Sequence, residues 1–134
     1  MSPEDVLGCI EAVVGFTCSF DEGDALAAAS LFAEDGQWER REGTVTGRQA
    51  LIALVRARGT VMARHVLSNQ RVAPLGTDRA VVHSYVTAYR SHEPTRPARL
   101  DQPFLVGRYQ DELVRTAGRW CVQKRSLTID FQGF

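Results

Sequence analysis

Apolar positions recur at two different periods along the chain, and the change of period divides it in two. Val6, Ile10, Val13, Val14, Thr17 and Phe20 follow one another at steps of three and four residues, one face of an amphipathic helix running to about residue 20. Ser2-Pro3-Glu4-Asp5 is a helix start: the serine caps, the proline suits the first helical position, and the acids favour the positive end of the dipole. Asp21-Glu22-Gly23-Asp24 interrupts this helix. Asp24 then caps a short second helix over 25–33, buried on Leu26, Ala29 and Phe32, with Gly36 as its left-handed stop. A strand over 37–42 follows, then a glycine-bounded turn. A third helix covers about 48–58, buried on Ala50, Leu51, Leu54 and Val55 and ended by Gly59.

From there the period is two. Residues 64–73, 79–90, 104–116 and 119–131 alternate as long strands, with hairpin turns at 74–78 and 116–118. The segment 91–103 is polar and holds Pro94, Pro97 and Pro103, which predicts a long mobile connection at the mouth of a site. Helices followed by a run of antiparallel strands form the α+β pattern. A curved, mostly antiparallel sheet wrapped by three N-terminal helices makes a cone, and the interior of a cone is a ligand cavity. At this length a single domain over 1–134 is expected.

Charge sharpens the division. Sixteen bases balance sixteen acids, but residues 1–46 hold ten of the acids and only two bases, Arg40 and Arg41. The zero therefore separates into an acidic helical part and an arginine-rich strand part, which predicts attraction between helices and sheet. Such a balance excludes an acidic or basic tail protein. The arginines are scattered over alternating strand positions without a stacking motif, so no nucleic-acid partner is expected. No apolar run is long enough to cross a bilayer, and the N-terminus lacks a signal-peptide pattern. Cys9, Cys18 and Cys121 are odd in number and show no metal-ligand spacing. A reduced, cytoplasmic protein with cysteines in its core is expected, with Cys9 and Cys18 on opposite sides of one helix. No phosphate-loop, dinucleotide or metalloprotease motif is present, so neither cofactor nor metal is expected.

Two residues stand out as chemistry. Asp21 lies four residues after Thr17 and so continues the buried stripe of the first helix, where a carboxylate needs a partner or a backbone cap. His65 opens a strand in Arg64-His65-Val66-Leu67-Ser68-Asn69, and alternation puts His65, Leu67 and Asn69 on one face, lining a mixed cavity. A carboxylate holding one imidazole nitrogen would fix the tautomer and leave the other nitrogen as a base. Spacing alone does not bring them together. A satisfied core histidine and a turn-capping aspartate are the plain alternatives. Arg40 offers a fixed cation for a carboxylate or an enolate oxygen, or is a solvated strand arginine. His83, Tyr85, Thr87 and Tyr89 share a strand face, from which the tyrosines reach the cavity or simply pack. Asp111 is expected to pair with an arginine on the sheet. Trp38 and Trp120 are core or interface aromatics, and His92 sits in the polar loop without a role.

The stretch from Phe20-Asp21-Glu22-Gly23-Asp24 to Leu31-Phe32-Ala33-Glu34-Asp35-Gly36-Gln37-Trp38 resembles the SnoaL-like branch of the nuclear transport factor 2-like superfamily. So do Gly47-Arg48, Arg64-His65-Val66-Leu67-Ser68-Asn69, Gly107-Arg108-Tyr109-Gln110-Asp111-Glu112-Leu113 and Gly118-Arg119-Trp120. The resemblance implies an α+β cone that forms homodimers or homotrimers around a small hydrophobic ligand. Scytalone dehydratase, hexachlorocyclohexane dehydrochlorinase and bile-acid 7α-dehydratase resemble the chain in carrying an aspartate and a histidine at the positions of Asp21 and His65. That likeness implies a cofactor-independent lyase or isomerase, with His65 and Asp21 catalytic and Arg40, Asn69, Tyr85, Phe20 and Trp38 around the substrate. Departures at Phe16, Phe20, Arg40 and Arg90 remove the other functional residues of scytalone dehydratase and ketosteroid isomerase. A non-catalytic binding or interaction subunit of the same fold is the alternative.

Overall fold

Helix α1 (Pro3–Glu22) begins as its sequence dictates: the Ser2 hydroxyl accepts from the Asp5 N–H at 3.1 Å. It ends where Gly23 turns left-handed at φ 75° and donates its N–H back to the Phe20 carbonyl. Cys9, Ala12, Val13, Phe16, Thr17 and Phe20 form its buried stripe. Cys9 lies inside and Cys18 outside, as two and a half turns require. Burial pushes the Cys9 thiol up to about 11. The computed structural model describes residues 1–93, 95–100 and 103–132.

Helix α2 (Ala25–Ser30) is capped by the Asp24 carboxylate, which accepts from the Ala27 N–H at 3.1 Å. It is shorter than its pattern suggests. The expected helix over 25–33 stops at Ser30, and strand β1 (Phe32–Arg40) starts where a helix end was predicted. The reason is a strand partner from the far end of the chain: the Val122 N–H donates to the Leu31 carbonyl at 2.7 Å, and Phe32 pairs with Val122. Gly36 is consequently a buried strand residue and not a left-handed stop. Strand β2 (Gly43–Thr46) fills the predicted turn and pairs antiparallel with β1. Helix α3 (Arg48–Arg56) buries Leu51 and Val55, while Ala50 is exposed.

Strands β3 (Met62–Gly76), β4 (Arg79–Ser91), β5 (Leu105–Thr116) and β6 (Arg119–Phe131) match the period-two segments closely. The six strands form one sheet in the order β2-β1-β6-β5-β4-β3, with every neighbour antiparallel except β1 and β6. This is the curved, mostly antiparallel sheet covered by three helices that the pattern predicted. Aromatic and alanine side chains of α1, α2 and β1 (Phe16, Ala28, Phe32, Trp38) pack with Val122 and with Leu51 and Val55 of α3. A second cluster joins Cys9, Val13 and Trp120 to β4 and β5. Beside the bulge after Val106, Gly107 has no room for a side chain, since a Cβ there would collide with the Thr128 carbonyl.

The acidic and basic parts of the chain do meet. Asp5 reaches Arg115 at 2.5 Å and Glu39 reaches Lys124 at 3.2 Å. Each such surface pair contributes only about 0–1 kcal/mol. Among the described residues no helix is long and apolar enough to cross a membrane.

Candidate functional site

The end of α1 faces the start of β3, and that meeting places Asp21 against His65. One carboxylate oxygen lies 2.6 Å from His65 Nδ1, while the other accepts the His65 backbone N–H at 2.7 Å. One bond orients the ring and the other ties the start of the strand to the end of α1. The Asp21 side chain is 7% exposed and that of His65 19%. An ionised carboxylate only accepts, so Nδ1 is the donor of this pair, and in the neutral imidazole Nε2 then carries the lone pair. Among the described residues Nε2 has no hydrogen-bond partner.

His65 forms part of the wall of a cavity of about 210 Å³. Phe20, Trp38, Tyr89, Phe104 and Tyr109 supply an aromatic lining, with Leu105 and Leu127 beside them. The Phe20 ring stands edge-on to both Trp38, at 4.9 Å, and His65, at 6.2 Å. Phe20, Trp38 and Arg40 line the same cavity as His65. Arg40 reaches Glu42 at 3.5 Å and its guanidinium stands 5.3 Å from the Trp38 ring.

Asn69 and Tyr85 are elsewhere. The register of β3 against β4 shifts between Ser68 and Arg71, and Asn69 takes a left-handed φ of 52° there. This bulge breaks the alternation that linked Asn69 to His65, and Asn69 is exposed. Tyr85 pairs with Ser68 and Arg108 on the outer face of the sheet and is 52% exposed. Ala80, Val82, Ser84, Val86 and Ala88 are the inward residues of β4. Asn69, Tyr85 and His83 line a second, more polar cavity of about 250 Å³ to which neither Asp21 nor His65 belongs. Tyr89, four residues on, does line the cavity. Arg90 and Phe104, on either side of the segment 91–103, line the cavity; Pro94 and residues 101–102 of that segment lie outside the described residues. His92 is exposed and Trp120 is buried against α1.

Asp111 has its arginine. Directly opposite on β6, Arg125 makes a two-pronged contact, Nε to Oδ1 at 2.7 Å and Nη2 to Oδ2 at 3.1 Å. Both side chains are closed off, at 1% and 0% exposure. Burial pulls the Arg125 guanidinium down, and the Asp111 carboxylate together with Tyr109 more than offsets it, so the net shift is upward. The Tyr109 ring covers the guanidinium at 4.0 Å, placing this pair behind the cavity wall.

Arg58 escaped the sequence reading altogether. It follows α3, donates from Nη1 to the Phe20 carbonyl, and stacks 4.5 Å from the Phe20 ring. It is thereby a second donor to the carbonyl that the Gly23 N–H already meets at the end of α1. A basic residue at the end of a predicted helix is the available signal, but nothing in the sequence ties it to Phe20. Among the described residues no cluster of three or more His, Cys, Asp or Glu side chains could hold a metal ion.

Comparison with known proteins sets this geometry in context. A variant of Rv3472, a protein of unknown function from Mycobacterium tuberculosis, matches over 96% of this chain and 78% of its own, with 24% identity and TM-score 0.83. A candidate scytalone dehydratase from Novosphingobium aromaticivorans matches over 95% and 85%, with 24% identity and TM-score 0.79. A Nostoc punctiforme protein of unknown function with a cystatin-like fold matches over 97% and 94%, with 23% identity and TM-score 0.79. These likenesses establish the shared fold. A comparison with curated protein sequences finds none that matches. The SnoaL-like domain family matches residues 3–126, and the chain belongs to that family.

Proposed function

We propose that the protein is a cofactor-independent lyase or isomerase acting on a small, largely apolar molecule bound in the cone cavity. The observation that carries this reading is the Asp21–His65 contact at 2.6 Å beside an aromatic-lined cavity. Neutral His65 removes a proton from carbon next to an activating carbonyl. The carbon's electron pair passes into the carbonyl as an enolate, and Asp21 stabilises the imidazolium that forms. Arg40 is placed to offset negative charge on the enolate oxygen. Collapse of the enolate expels a leaving group on the neighbouring carbon, which takes the proton from His65 if it departs as water. Return of the proton at another carbon gives isomerisation instead.

A non-catalytic binding subunit of the same fold would have His65 tied to backbone and out of reach of Asp21, and the observed pairing favours the enzyme. The likeness to a candidate scytalone dehydratase supports elimination as the reaction type. Self-association as a homodimer or homotrimer belongs to the same proposal, supported by the exposed Val66 and Tyr85 on the outer sheet face. Incubation with hydroxylated cyclic ketones in D2O, followed by NMR, reads proton abstraction directly. The wild type exchanges or dehydrates a ketone of the set, and folded His65→Ala and Asp21→Asn lose that reaction. Equal rates in all three proteins remove the dyad from the mechanism.

A further inference from the structure

Four arginines line the cavity, Arg40, Arg41, Arg58 and Arg90, against a single carboxylate, Glu42. Among the described residues Glu42 pairs only with Arg40. An apolar substrate gives such a ring of cations nothing to bind. The cations are also held in place by the aromatic wall: Arg90 lies 3.8 Å and Arg41 5.2 Å from the Phe104 ring. A guanidinium over an aromatic face makes no hydrogen bond to it, so its N–H donors stay free for an acceptor.

Arg58 narrows the choice of acceptor. Its Nη1 is used by the Phe20 carbonyl, but Nη2 is buried with no hydrogen-bond partner among the described residues. A buried charged donor left unmade is costly, so such a group marks a place where an acceptor belongs. Burial lowers the proton affinity of this guanidinium from its ordinary value, with the Asp21 charge opposing. An arginine nonetheless stays protonated, so it is a partly desolvated cation at the wall. Arg58 also stacks on Phe20, whose ring is next to His65. A group bound by Arg58 is thus close to the proton acceptor.

We propose that the natural substrate is an aromatic or unsaturated ring compound bearing a carboxylate, which Arg58 binds while the ring lies against the aromatic lining. The planar guanidinium fork matches the two oxygens of a carboxylate. This refines the substrate class of the reaction proposed above, but the binding claim does not depend on turnover.

Calorimetric titration with benzoate, trans-cinnamate and 1-naphthoate, each beside its methyl ester, tests it at fixed ionic strength. The expected result is that at least one acid binds about tenfold or more tighter than its ester. Arg58→Gln, checked for folding by circular dichroism, brings that acid down to the level of the ester and leaves the ester unchanged. Equal binding of acid and ester, an acid preference that survives Arg58→Gln, or no saturable binding of any acid at millimolar concentration overturns the proposal. If Arg58→Gln does not fold, Arg58→Lys decides the question: it keeps the charge but loses the fork, and undiminished acid binding overturns the proposal. His65→Ala retains the acid preference. A failure of the dyad to catalyse, with that preference intact, therefore counts against the reaction and not against the carboxylate site.

Discussion

Asp111 and Asp21 each face a nitrogen partner inside the same cone, one in the sheet and one at the end of a helix. Asp111 and Arg125 are at 0% and 1% exposure, and both carboxylate oxygens are taken by the same guanidinium. Asp21 divides its oxygens between a ring and a backbone N–H, and the ring it holds is open to a cavity. A pair that satisfies itself completely has no capacity left for a ligand. A pair whose base keeps one unbound nitrogen does. Burial depth alone therefore does not identify a reactive carboxylate; what matters is whether its partner has a second, unfilled valence facing open space.

The sharpest way to break this comparison is to remove one charge from the closed pair. Asp111→Ala leaves Arg125 buried without its partner, and the expected loss is about 3–5 kcal/mol of stability, read by urea unfolding. His65→Ala should do the opposite, lowering activity by about 10²–10⁴-fold with a smaller loss of stability, because Asp21 keeps the backbone N–H of residue 65. Loss of stability without loss of chemistry in that variant would reverse the assignment of the two pairs. A double change, Asp111→Leu with Arg125→Met, should recover most of the stability lost by Asp111→Ala, because burying apolar groups of similar volume is about as favourable as the ion pair.

The smallest effect concerns the residue between the pairs. Burial is the main cause that raises the Tyr109 phenol above its ordinary value, with Arg125 opposing. The folded state therefore holds this proton longer than the unfolded chain does. Stability is fully present below the ordinary phenol range, about pH 10, and falls as the pH rises through it toward the folded value. Spectrophotometric titration should show one late tyrosine phase that Tyr109→Phe abolishes.

Much of this arrangement was legible in the sequence because burial there follows a fixed period. The stripe that ends at Phe20 carries Asp21 toward the core, and alternation in 64–73 carries His65 to the inner face. Legibility fails where the period slips. A bulge after Ser68 turns Asn69 out of line with His65. A second irregularity between Glu112 and Leu113 lets Val122 and Arg125, three residues apart, both be buried, so alternation along β6 hides the arginine that Asp111 meets. The short α2 fails for another reason: Leu31-Phe32-Ala33 is apolar enough for either helix or strand, and the decision is made by Val122, far away in sequence. Tyr85 misled because its face of β4 is the outer one.

The parallel join of β1 to β6 also governs the order in which the molecule can be assembled. Phe32 lies beside Val122 and Trp38 beside Arg125, while among the described residues the only other strand paired with β1 is the four-residue β2. On the ribosome the acidic segment emerges first and then waits through the whole arginine-rich sheet for its place. Contacts between such distant parts of a chain form slowly, because a long loop must close before any of them is made. The aromatic wall that Trp38 contributes is thus completed only when the last strand is in place. Until then the nascent protein shows its surroundings an unfinished cone, and a chaperone that shields β1 would be guarding the future cavity as well as the fold.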